Sequence, residues 1–227
     1  DEGTTLKNFK LAHEKVLHLV VVRKDLNQFQ HLHPEFDENT GIFTLSNLSF
    51  PTSGDYRIFA DFVPTGAMFG PNGMPLGVTI SEDINVAGSY TPQSIGATTR
   101  TKNVAGYEVT LSTNPQTPGS TMTMLSFTIK KDGKPITNLE SYLAALGHSV
   151  VLKENTLNYI HAHALQEPTS AQTGTIDFHV EFPSGGSYKV FTQFKHQGQV
   201  QTAEFVVPVE GGATPAVPEG MDHSIHN

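Results

Sequence analysis

The sequence predicts an all-β chain built as two tandem Ig-like β-sandwich domains, and three observations lead to that prediction. Runs of five to nine residues rich in Val, Ile, Phe, Tyr and Thr are separated by clusters of Gly, Pro, Asn and Asp, the pattern of strands joined by turns. Related runs recur in two copies along the chain. In the more complete second copy seven such runs follow one another with regular turns, as a two-sheet sandwich requires.

The duplication is specific. HLVVVRKDLNQFQHLH (18–33) aligns without a gap on HSVVLKENTLNYIHAH (148–163). FPTSGDYRIFADF (50–62) then aligns on FPSGGSYKVFTQF (182–194). In the second copy strands are expected near 107–112, 121–130, 148–153, 158–164, 175–182, 187–195 and 199–208, with an Asp-Gly turn in KKDGKP. LESYLAAL (139–146) reads as one short helix. The organisation is therefore an incomplete first sandwich at 1–88, a Ser/Thr/Gly/Ala-rich linker at 89–106, a second sandwich at 107–210 and a Pro/Gly-rich tail at 211–227. Only seventeen residues precede His18, against about forty before His148 if its domain begins near Tyr107, so the first copy is expected to lack two strands. Three explanations stand: upstream residues removed, the linker filling the gap, or another chain covering it. The exposed sheet edge left behind would suit a protein partner or self-association.

Composition narrows the function. A net charge of -8 with no basic stripe argues against nucleic acid. No apolar run reaches the length of a membrane-spanning helix. The start DEGTT does not read as a signal peptide, and the expectation is a form trimmed from a longer precursor. The absence of cysteine excludes disulfides, thiolate ligands and Cys nucleophiles, so any metal must be held by imidazole, carboxylate, thioether or water.

The chemistry is concentrated in a repeated histidine pattern. His18, His31 and His33 in the first copy match His148, His161 and His163 in the second: His, twelve residues, His, one residue, His. Alternation along a strand places His31 and His33 on one face, and likewise His161 and His163. A two-residue turn at Lys24-Asp25 would set His18 opposite His31, and a four-residue turn would set it opposite His33. Either register gathers three imidazoles suited to zinc, copper or nickel, with a coordination position left over. Each triplet is thus a candidate metal site, and the competing reading is a set of histidines that only knit hairpins together. Binding needs neutral rings, so affinity is expected to collapse below about pH 6. Glu35, beside the first H-x-H, would complete a site in that copy alone.

Other candidates carry weaker signals. His13 corresponds to Leu143 and reads as a surface histidine. His179 and His196 read as structural or exposed. Met68, Met74, Met122 and Met124 read as packing residues, and Met221, Asp222, His223 and His226 as a solvated tail. No nucleophile elbow, phosphate loop or placed carboxylate pair suggests an enzyme. A metal-dependent hydrolase would need a general base that the sequence does not identify.

HEKVLHLVVVRKDLNQFQHLHPEF, followed by FPTSGDYRIFADFVP, resembles a largely uncharacterised group of bacterial exported proteins with tandem β-sandwich domains and H-x-H-P runs. That group looks distantly similar to cupredoxin-type and copper-resistance sandwiches. The resemblance implies an exported, periplasmic or secreted protein associated with heavy-metal handling, with the two histidine triplets as its matching polar positions. Blue-copper electron transfer is not implied, because that site needs a cysteine. The expected function is non-enzymatic binding of copper or zinc for buffering, delivery or sensing. The alternative is an interaction or adhesion module whose histidines are structural.

Overall fold

The computed structural model describes residues 6–69, 76–113 and 123–210. Among them there is no helix. The strands are β1 Phe9–Lys10, β2 Leu17–Arg23, β3 Phe29–Leu32, β4 Glu35–Asp37, β5 Ile42–Thr44, β6 Gly54–Pro64, β7 Val78–Val86 and β8 Thr101–Val104. They continue as β9 Tyr107–Thr113, β10 Thr123–Lys131, β11 Lys134–Pro135, β12 Gly147–Lys153, β13 Tyr159–His163, β14 Thr175–Val180, β15 Gly186–His196 and β16 Gln199–Val209.

The two copies build the same antiparallel sheet. In the first, β3, β2, β6 and β7 lie side by side, with β1 also on β6. In the second the order is β13, β12, β15 and β16. A third sheet, of β8 to β11 with β14 on β10, belongs to the second copy. It closes a sandwich over Val109, Leu125, Phe127, Phe178, Val190 and Phe205. β10 shows why: its residues alternate buried and half-buried along the strand, the period-2 pattern of a sheet with one face on a core.

β2 and β12 differ from β10, because both of their faces are covered. Val150, Leu152 and Phe191 point away from the second copy's own sandwich and pack against Val20, Val22, Leu26 and Phe59 of the first. The inner face of the first copy's sheet is therefore covered by the outer face of the second copy's sheet. Ile95, from the segment read as a linker, joins the same core. On the far side of the first sheet, Phe9 packs edge-on against Phe36, Phe43 and Phe62, which ties the β4–β5 hairpin over it.

The contact between the copies is reciprocal. Phe29 stacks on Phe191 with ring centroids 4.1 Å apart, and their counterparts Tyr159 and Phe59 stack at 5.0 Å. Such exchange, in which each copy's residue meets the other's partner, is the arrangement of an isologous dimer interface, here within one chain. Each copy also keeps a tyrosine corner, a device of Ig-like sandwiches. Tyr56 donates to the carbonyl of Thr52 and Tyr188 to that of Ser184, each at 2.8 Å.

Two local readings need correction. Leu139–Leu146 is not helical. Tyr142 and Ala145 bridge across a tight turn in which Leu143 and Ala144 have φ of 56° and 61°, the left-handed pair that a two-residue hairpin turn requires. The stretch 89–106 is not linker throughout, since Thr101–Val104 is a strand paired with β9 through a turn at Ala105 and Gly106.

Candidate metal centre

Hairpin geometry sets the histidines. Arg23 donates to the carbonyl of Gln28 around a four-residue turn, and Lys153 does the same to Asn158. The turns put Val20 across from His31 and His148 across from His163, so the four-residue alternative is the one adopted. On the other side of β2, His18 faces Asp61 of β6, and on the other side of β12, His148 faces Gln193 of β15.

The described imidazoles of the two copies are not separate in space. Because β2 and β12 face each other, the imidazoles of both copies meet in one cluster. His18 lies 5.0 Å from His161, 5.3 Å from His31, 5.0 Å from His33 and 6.2 Å from His148, ring centre to ring centre. Ligand nitrogens of His18, His31 and His161 all lie within 4.8 Å of one another. Two of that trio come from the first copy and one from the second. His163 pairs with His148 in the strand register.

Hydrogen bonds at the rim fix which nitrogen of each ring faces inward. His18 Nε2 is 3.0 Å from the carbonyl oxygen of Ala12, which can only accept, so Nε2 carries the hydrogen and Nδ1 presents its lone pair. His148 Nε2 meets the carbonyl of Leu143 at 3.0 Å with the same consequence. His31 donates through Nδ1 to Gln193 Oε1 at 2.8 Å, while the Gln193 amide nitrogen donates to Thr202. His161 donates through Nδ1 to Asp61 Oδ2 at 2.8 Å. Asp61 also accepts from Thr79 and Tyr159.

The inward nitrogens then face one another. His18 Nδ1 is 3.1 Å from His31 Nε2 and 3.2 Å from His33 Nε2, and His148 Nδ1 is 3.4 Å from His161 Nε2. Two lone pairs at 3.1 Å repel unless a positive centre, a metal ion or a donated N–H such as that of His33, lies between them. Nitrogens bound at about 2.0–2.1 Å to a tetrahedral zinc are themselves about 3.3–3.4 Å apart, close to these separations. Rings that donate their outer N–H to a carbonyl or carboxylate while aiming the other nitrogen inward are the usual setting of metal-bound histidine.

Residues 1–70 and 102–211 match DUF8832, a domain of unknown function. The chain belongs to this family. No curated protein and no solved structure matches it. His13, His18, His31, His33, Asp61, His148, His161 and Gln193 all lie inside the segments matched to DUF8832.

Burial controls the protonation of this DUF8832 cluster. Desolvation pushes His18 down to about 4 and His33 and His148 down to about 3, with the neighbouring imidazoles adding to it. His31 and His161 are shifted the same way, chiefly by burial. Burial thus favours the neutral form of every one of these rings, the form a metal requires. Asp61 is raised by burial, against the opposing pull of His18.

The remaining candidates fall outside the cluster or enter it unexpectedly. Glu35 is exposed on β4 and takes no part. His196 is buried and bonded to Tyr107 and Asn138, a structural role, and His179 is exposed. Met68 is exposed and Met124 half-buried. Met74, Met122, Met221, Asp222, His223 and His226 lie outside the described residues. Asp61, Gln193 and His13 were not expected at the site. The alignment held a signal for the first two, since Asp61 and Gln193 occupy equivalent polar positions between aromatic residues.

Proposed function

We propose that this protein binds one copper or zinc ion between its two repeats, with His18, His31 and His161 as the central ligands and Asp61 and Gln193 orienting them. The single observation that carries the reading is the facing of His18 Nδ1 and His31 Nε2 at 3.1 Å, each with its hydrogen committed elsewhere. Neutral imidazoles without thiolate favour Zn(II) and Cu(II) over soft-ligand chemistry. The role we assign is non-catalytic buffering, delivery or sensing of the metal, outside the cytoplasm. Titrating Zn(II) and Cu(II) into the metal-stripped full chain should give saturable binding near one ion per chain. Absence of binding, with no thermal shift on adding either metal, would favour the scaffold alternative. In that case the exposed edge strand β7, with Val78 and Ile80 outward, becomes the surface to examine.

A further inference from the structure

The two halves of the cluster are alike in backbone but not in chemistry, and three departures, two of them ionisable at or near the cluster, fall on one side. His13 stands where the repeat has Leu143, Asp61 where it has Gln193, and Tyr159 where it has Phe29. His13, Asp61 and Tyr159 all line one cleft of about 690 Å³, together with His18 and His161. Their counterparts Leu143, Gln193 and Phe29 do not line it. Leu143 is buried, and Tyr142 of the same turn packs edge-on against His148 at 5.7 Å, so the matching turn of the second copy covers that side with two bulky side chains.

His13 is the sharpest of these differences. It occupies the first left-handed position of a tight turn, φ 50°, and the next residue, Glu14, has φ 66°. Leu143 and Ala144 hold nearly the same angles, so the turn itself does not call for an imidazole. The His13 ring is half-buried at the cleft, 5.4 Å from His148, 6.3 Å from His18 and 6.4 Å from His161 by ring centres. It is more exposed than His18 and shares the cleft lining with His18 and His161, while His31 lies behind them. The Ala12 carbonyl that orients His18 belongs to the same turn, so the outer ring and the central ligand are mechanically joined.

We propose that the ion enters and leaves through this cleft by way of His13, which acts as the exchange ligand for the buried trio. A bare aqueous ion would have to shed several waters at once to reach His18, His31 and His161. A half-exposed imidazole at the threshold lets it trade them one at a time. The polar side of the cluster is thereby the port and the Leu143 side the closed wall.

This inference rests on the metal reading above, and the experiment separates the two. Uptake of Zn(II) by the metal-free full chain, and its release to excess EDTA, are followed by stopped flow in wild type, His13→Leu and His13→Asn. Leucine copies the protein's own second turn, and asparagine tolerates left-handed backbone, so both should fold. The expected result is that uptake and release both slow at least several-fold in both variants, with stoichiometry and equilibrium affinity kept. Unchanged rates would overturn the exchange role, as would weaker binding with faster release, which would make His13 a resident ligand. Failure of the wild type to bind zinc would instead overturn the metal reading itself.

Discussion

His161 donates through Nδ1 to Asp61 at 2.8 Å, joining the two repeats across one hundred residues of sequence. Its counterpart His31 makes the same bond, also at 2.8 Å, to Gln193. The protein thus contains its own control for the charge: one ring is oriented by a carboxylate and the other by an amide.

Asp61→Asn should therefore keep the orienting bond and lose only the negative charge. Orienting partners of this kind contribute about 10–100-fold to metal affinity. We expect Asp61→Asn to weaken Zn(II) binding within that range, by chelator competition, without changing stoichiometry. An unaltered dissociation constant would mean that Asp61 serves the fold alone.

Acid should destabilise the metal-free protein in a defined window. The histidines have an unfolded pKa of about 6.5, while His18 is held at about 4 and His148 at about 3 in the fold. Between these values the unfolded chain binds more protons than the folded one, so stability is full above about pH 6.5 and falls as pH drops toward the folded values. Asp61, shifted upward, acts with the opposite sign just above its unfolded pKa of about 3.9 and as one group cannot offset the cluster. Urea midpoints measured from about pH 7.5 down to about 4.5 should decline by an amount worth on the order of a few kcal/mol. A flat profile would contradict neutral burial of these rings.

The interface between repeats should be a large contributor to stability. Phe191 is fully buried and stacked on Phe29. Phe191→Ala should cost about 3–5 kcal/mol by denaturant unfolding. It should also weaken metal binding, because Gln193, which orients His31, lies on the same face two residues along β15. A loss under about 1 kcal/mol would show that the two sheets do not rely on this contact.

Much of this was legible in the sequence, for reasons that can be named. Strand positions in the second copy followed from β-rich runs bounded by turn residues, and most observed ends fall within two residues of those read. The convergence of His18, His31 and His33 followed from strand parity, although only the backbone of the Lys24–Asn27 turn decided the register. The meeting of the two triplets was not read. Its signal was present in the consecutive VVV of LHLVVVR and VVL of GHSVVLK, apolar runs without alternation that fit strands buried on both faces rather than one. Leu139–Leu146 misled because its leucines and alanines favour helix locally, whereas the tertiary structure needs a hairpin that brings the Leu143 carbonyl to His148. His13 was passed over because comparison with Leu143 made it dispensable to the fold, the very property that singles it out at the cleft.

The central claim is that there is one metal site, shared by the repeats. Zinc content per chain, measured after equilibration and desalting, tests it in wild type, His31→Ala and His161→Ala. A shared site predicts about one ion in wild type and loss of tight binding in either variant, although each leaves the other repeat's triplet intact. Two ions in wild type, with one retained in each variant, would show that the triplets bind independently and would contradict the account.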